Sequence, residues 1–233
     1  MEELLFRKMK RSKMSIYLLS PTSKTDTIHL PMIRFSLLDV QIDFSTCDTL
    51  MFSSKQAVKS AEQLNPAWKN IPCLAIGKAT ANIIESLGGK VIYQPKTFYA
   101  ETLAEDIVSK FKDKNILYLR PRDVSFDSKT FLKKAGLTLQ EQIIYETSCI
   151  AYESKDKPLK NAIIIFTSPS SIHCFLENFA WDESYTAVVI GEATKEYLPT
   201  SAQYEVADTP LIDSCIVKAK IVASHKSLLL KQS

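Results

Sequence analysis

The stretch Leu50-Met51-Phe52-Ser53-Ser54 returns as Ile164-Ile165-Phe166-Thr167-Ser168, and Leu74-Ala75-Ile76-Gly77-Lys78-Ala79-Thr80 returns as Val188-Val189-Ile190-Gly191-Glu192-Ala193-Thr194. Both matches run at one offset of 114, from Ser54 to Ser168 and from Gly77 to Gly191. Two motifs sharing one spacing indicate a duplicated unit far more strongly than either match alone. A weaker echo pairs Ile16-Tyr17-Leu18-Leu19-Ser20-Pro21 with Ile116-Leu117-Tyr118-Leu119-Arg120-Pro121 at an offset of 100. The halves therefore read as two copies of one unit with an insertion between their parts.

Each copy reads as strand, polar turn, helix and strand again. Residues 49–53, 72–76, 116–119, 162–167 and 186–190 are short apolar runs rich in branched side chains, as parallel strands buried on both faces require. Helical patterns lie between them. Leu103, Ile107 and Phe111 follow i, i+4 spacing behind Thr97, which reads as a cap; Phe131 and Leu132 precede Gly136, and Gly88-Gly89 closes another helix. Alternating strands and helices predict an α/β fold with open parallel sheets, whose ligands bind beyond the carboxyl ends of the strands. The repeated polar turns fall at that edge. Ser53-Ser54, Thr167-Ser168 and Ser170-Ser171 gather hydroxyls and amides where helices begin, and Gly77 and Gly191 mark the second pair of turns. Helix starts carry unpaired N–H groups and partial positive charge, which favour anions, although Ser and Thr also act there as plain N-caps.

A length of 233 residues suits two domains of about a hundred residues each. With 45% hydrophobic and 24% charged residues the chain is an ordinary globular one, which excludes disorder and a membrane-embedded fold. Its five glycines form neither G-x-G-x-x-G nor G-x-x-x-x-G-K-[ST], so the usual nucleotide loops are missing. The net charge of +3 belongs to residues 1–13, where Arg7, Lys8, Lys10, Arg11 and Lys13 outweigh Glu2 and Glu3. That segment reads as a tail before a start at Met14, and the neutral body offers no basic stripe for nucleic acid. No secretory signal and no run of about 20 apolar residues is present, so a cytoplasmic protein without membrane contact is expected.

The five cysteines, Cys47, Cys73, Cys149, Cys174 and Cys215, are odd in number and form no C-x-x-C pair, so they read as reduced, mostly buried thiols. His173 and Cys174 are neighbours, but adjacent helix positions point about 100° apart, and no metal site is expected. No G-x-S-x-G elbow or recognisable catalytic histidine appears.

At Phe52-Ser53-Ser54, Phe166-Thr167-Ser168-Pro169-Ser170, the two glycine turns and Ile144-Tyr145-Glu146-Thr147, the chain resembles uroporphyrinogen-III synthases, from about Met14 to the C-terminal region. The resemblance implies two flavodoxin-like domains, parallel sheets with helices on both faces. Residues 1–37 and 149–233 would form one discontinuous domain and 43–142 the other, joined by linker strands at about 35–42 and 143–150. It also implies a cofactor-independent reaction that closes hydroxymethylbilane into uroporphyrinogen III, inverting ring D and losing water. Ser53, Ser54, Lys55, Gly77, Thr80, Arg120, Thr167, Ser168, Ser170, Ser171, Gly191 and Thr194 would then hold the polycarboxylate substrate, with Lys78 and Arg122 as further cations. Tyr145 matches the family's linker tyrosine, which would act as a general acid on the departing hydroxyl or else pack between domains. A monomer is expected, with transient contact to the preceding pathway enzyme. Two departures stand out. Ser20-Pro21-Thr22-Ser23 follows the first strand where family members often carry an arginine, and Asp123 to Asp127 replaces a Gly- and Arg-containing loop. The competing reading is a non-catalytic two-lobed protein that binds a small anion.

Overall fold

The computed structural model describes residues 14–97 and 99–229, so the reading of residues 1–13 as a tail lies outside the described residues. Its strands are β1 (Ile16–Leu18), β2 (Ile28–His29), β3 (Ile33–Leu37), β4 (Thr49–Phe52), β5 (Cys73–Ala75), β6 (Val91–Tyr93), β7 (Ile116–Pro121), β8 (Leu139–Cys149), β9 (Ile163–Phe166), β10 (Thr186–Val189) and β11 (Gln203–Val206). The helices are α1 (Lys55–Leu64), α2 (Lys78–Ser86), α3 (Ala100–Lys110), α4 (Ser128–Lys134), α5 (Pro169–Asn178), α6 (Glu192–Lys195) and α7 (Ile212–Leu229). The chain forms two compact units. One holds the described residues up to Arg34 and those from Ser148 onward, and the other is Phe35–Thr147.

The first unit carries a sheet of order β2-β1-β9-β10-β11, and the second carries β8-β7-β4-β5-β6, with β3 beside β8. Neighbouring strands within each run are parallel. The register reproduces the sequence repeat residue by residue. Tyr17 lies opposite Ile164 and Ile164 opposite Ala187; Leu117 lies opposite Leu50 and Leu50 opposite Cys73. The offsets of 114 and 100 are thus one equivalence, with β9, β10 and β1 matching β4, β5 and β7. Two offsets arise because chain order is permuted: the repeated strands of the first unit begin at β1, whereas those of the second begin at β4, the counterpart of β9. In chain order the first sheet is the flavodoxin arrangement 2-1-3-4-5, while the second reads 3-2-1-4-5.

Strands β4, β5, β9 and β10 are buried along their whole length, which explains their unbroken apolar sequences. Alternation splits β4 between two cores. Leu50 and Phe52 meet Ala57, Trp68 and Ile84 on one face, and Met51 meets Leu103, Ile107 and Leu132 on the other. In the first unit Ile16, Leu18, Ile163, Ile165 and Val188 pack with Cys215, Ile216 and Ala219 of α7.

Gly88 follows α2 at φ +90°, the left-handed conformation that ends helices with least strain in glycine. Beside it, a Cβ on Gly89 would lie 2.4 Å from the Trp68 ring, so this glycine admits the close approach of a core aromatic.

Two expectations are corrected. Thr97 does not cap α3: the N-cap is Tyr99, without a side-chain hydrogen bond, and Thr97 lies a further two residues upstream. The cysteines are not all reduced thiols. Cys149 and Cys174 are joined by a disulfide across a separation of 25 residues, whereas Cys47, Cys73 and Cys215 are free. No motif spacing marks this pair because the tertiary return of the chain alongside α5 makes it.

Candidate active site

The carboxyl edge of the second sheet brings two serines to two phenols. Strand β4 ends at Phe52, and Ser54, with extended backbone, caps α1 by accepting the Ala57 N–H at 3.0 Å. The Ser54 Oγ also lies 2.9 Å from the Tyr145 hydroxyl, and the Ser53 Oγ lies 2.6 Å from the Tyr118 hydroxyl. Register explains the meeting. Strand β8 runs parallel to β7, with Tyr145 opposite Pro121 after a shift in pairing, and β7 pairs with β4. The sequence therefore delivers both tyrosines to the level of the Ser-Ser turn.

Tyr145 is 3% exposed, and its ring meets Phe35 edge-on at a centroid distance of 5.8 Å. Burial pushes its phenol up to about 12, against the opposing pull of the Ser54 hydrogen bond. Burial also raises Tyr118, while Ser53 and the Arg120 charge pull it down. Both phenols thus carry their protons at neutral pH and can act as hydrogen-bond donors.

Arg120 reaches the same edge but folds back on the protein. Its Nη1 donates to the carbonyls of Pro121 and Arg122, and its Nε lies 3.4 Å from Glu141 Oε1 without hydrogen-bond geometry. Arg122 Nε bonds Glu146 at 3.0 Å. Lys55 and Lys78 are exposed at the first turns of α1 and α2. Gly77 is the buried N-cap of α2, and the buried Thr80 returns its N–H to the Gly77 carbonyl. In the divergent loop, Asp127 caps α4 by accepting the Thr130 N–H, which holds its carboxyl below the usual range.

The first unit repeats the scaffold without the phenols. Ser168 caps α5 in a reciprocal box with Ser171. Ser171 is fully buried and donates its hydroxyl to the Ser168 carbonyl at 2.6 Å, so it serves the cap and has no proton left for a ligand. Thr167 and Ser168 are half-buried and Ser170 is exposed at the helix start. Gly191 precedes the single turn α6 in extended backbone that any residue adopts, and a Cβ there would meet nothing within 4 Å. Thr194 is buried. Where Arg120 stands in the second unit, Ser20 is buried in the first and accepts the Thr22 N–H.

Sequence reasoning missed Tyr118 and Glu141. Tyr118 reads as one more apolar strand residue until pairing sets its hydroxyl against Ser53. Its position two residues before Arg120, on a strand ending at the same edge, is the signal that could have found it.

Two parallel α/β units, each with hydroxyls and helix-start amides at the carboxyl edge of its sheet, and one with protonated phenols hydrogen-bonded there, define the class of fold and candidate site. The comparisons give this class a family. The family model described as "Uroporphyrinogen-III synthase HemD" matches residues 22–216, and the chain belongs to that family. It is 28% identical over 145 residues to a uroporphyrinogen-III synthase of Synechococcus elongatus, a match spanning 57% of this chain and about half, 55%, of that relative's length. A uroporphyrinogen-III synthetase structure from Helicobacter pylori superposes with a TM-score of 0.76 at 25% identity, covering 90% of this chain and 99% of that one. A mutant uroporphyrinogen III synthase structure from Thermus thermophilus shares the fold, with a TM-score of 0.60 at 10% identity over 91% of this chain and 99% of its own. Among the described residues no helix is long and apolar enough to cross a membrane.

Proposed function

We propose that the protein cyclises hydroxymethylbilane to uroporphyrinogen III, inverting ring D with loss of water, as a lyase of haem biosynthesis. The observation that carries this reading, beside family membership, is the protonated Tyr145 phenol held by Ser54 at the carboxyl edge of the second sheet. Loss of the terminal hydroxyl, driven by its own pyrrole, leaves an azafulvene, which ring D attacks through its substituted carbon before the rearrangement that inverts it.

Tyr145 donates its proton to the departing oxygen. A phenol near 12 is still a stronger acid than water, near 15.7, so transfer to a leaving hydroxide is downhill by roughly four pK units. As Tyr145 releases its proton, the Ser54 hydroxyl turns to donate to the phenolate oxygen while still accepting from Ala57. Within the second unit, the substrate carboxylates take their hydrogen bonds from helix-start amides, with Lys55 and Lys78 adding charge. Orienting the flexible chain supplies much of the remaining acceleration, about 7–11 kcal/mol in well-oriented model reactions, and suppresses closure without inversion. We also place the protein in the cytoplasm as a monomer, and because the substrate closes unaided, transient contact with the preceding enzyme would shorten its time in solution.

Freshly prepared hydroxymethylbilane tests the proposal directly. Isomer analysis of the oxidised product should show type III, and recovery of type I alone would reject the assignment.

A further inference from the structure

Cys149 closes β8, and Cys174 lies on α5 with Glu177 three residues further along the same helix face. The two sulfurs and a Glu177 carboxylate oxygen lie within 4.8 Å of one another, and among the described residues no other trio of such ligand atoms gathers so closely. The cysteine backbones are held together by more than the disulfide. Asn178 Nδ2 donates to the Cys174 carbonyl at 2.7 Å and to the Ile150 carbonyl at 2.9 Å, and its Oδ1 accepts the Tyr152 N–H at 2.7 Å. The Ile150 N–H in turn donates to the Met32 carbonyl at 2.9 Å. Cleaving the sulfur–sulfur bond therefore leaves both cysteines in place beside Glu177.

We propose that the reduced form of this cluster is a binding site for a thiophilic divalent cation of the Zn2+ class, with Cys149, Cys174 and Glu177 as ligands and the disulfide as its closed state. The interconversion balances. Two molecules of a small thiol give two electrons and two protons and leave as their own disulfide, or a phosphine gives two electrons while water gives both protons and its oxygen to the phosphine oxide; the cation then displaces both thiol protons to form two metal–sulfur bonds. Tetrahedral zinc–thiolate bonds of about 2.3 Å place the sulfurs about 3.8 Å apart, which is near the contact distance of two unbonded sulfurs. Reduction alone thus opens the required bite. Cys174 is buried, Cys149 is half-buried and Glu177 is exposed, so one side of the site faces solvent and leaves a fourth position for water. His173 Nε2 lies 3.1 Å from Glu177 Oε1 and steadies the carboxylate from outside the trio. In a reducing compartment the dithiol, and hence the metal-binding state, prevails.

The test uses the full chain, reduced with a phosphine under argon and titrated with Co2+, followed by competition with Zn2+. One equivalent of Co2+ should produce thiolate-to-cobalt absorption that Zn2+ abolishes, with release of about two protons. The air-oxidised protein, Cys149→Ser and Cys174→Ser should lack the band, and Glu177→Gln should weaken binding at least about tenfold. Cys174→Ala replaces the serine variant if a buried hydroxyl prevents folding. Absence of the band in reduced wild type, its persistence in both cysteine variants, or equal binding by the oxidised protein would overturn the proposal.

Discussion

Replacing Tyr145 with phenylalanine separates chemistry from packing. The ring keeps its place against Phe35 and in the core around Leu119 and Ile144. Only the hydroxyl is lost, together with its 2.9 Å contact to Ser54 Oγ. Ser54 still accepts the Ala57 N–H, so the α1 cap survives, and the lost hydrogen bond should lower stability by only about 0.5–1.5 kcal/mol. Loss of a general acid should slow turnover about 10²–10⁴-fold, equivalent to roughly 2.7–5.4 kcal/mol of barrier. The gap between these magnitudes makes the variant decisive. Urea denaturation followed by circular dichroism measures the first, and timed formation of type III isomer from fresh hydroxymethylbilane measures the second. A urea midpoint near wild type with type III formation slowed at least about 100-fold, so that the unaided type I product accumulates, is the expected result. Turnover within about threefold of wild type in a folded Tyr145→Phe protein would refute the acid role and leave Tyr145 a packing residue.

Ser168→Gly should change stability by only a few tenths of a kcal/mol as a cap replacement, whereas Ser54→Gly also removes the Tyr145 partner, so it should cost roughly a further 0.5–1.5 kcal/mol and lower kcat. The disulfide links residues 25 positions apart, for which loop entropy gives about 3.5 kcal/mol; reduction should lower the urea midpoint accordingly, and Cys149→Ser should abolish the difference between oxidising and reducing conditions. Gly89→Ala should destabilise by about 1–3 kcal/mol, because its Cβ would overlap Trp68 at 2.4 Å, as thermal melting will report. The Cys73 thiol is raised from 9.0 to about 12 by burial. Its contribution to stability is therefore full below about pH 9 and is lost as pH rises toward 12, because the unfolded chain ionises first. Urea midpoints measured against pH should show this alkaline decline, and it should be shallower in Cys73→Ala.

Much of the fold is legible in the sequence because parallel strands buried on both faces have no polar side to present. Thr49–Phe52, Cys73–Ala75, Ile163–Phe166 and Thr186–Val189 announce themselves as apolar runs for that reason. The same physics makes the caps at Ser54 and Ser168 readable, since a helix start must satisfy its N–H groups locally. Less of the site was readable. The sequence identified Arg120 as a cation at a strand end, but its pairing with Glu141 depends on the neighbouring strand, and its Nη1 is taken by the carbonyls of the two residues that follow it. Ser171 likewise reads as one more rim hydroxyl until the capping box shows its proton already bonded.

By itself the sequence determined what is local or periodic: the duplicated strand-turn-helix unit, the buried strands, the caps at Ser54 and Ser168 and the family. Tertiary structure decided what depends on residues far apart in the chain. Pairing of β4 with β7, and of β7 with β8, brought Tyr118 to Ser53 and Tyr145 to Ser54. The return of the chain past α5 joined Cys149 to Cys174. Such contacts are set by strand register and chain return, which no local spacing encodes.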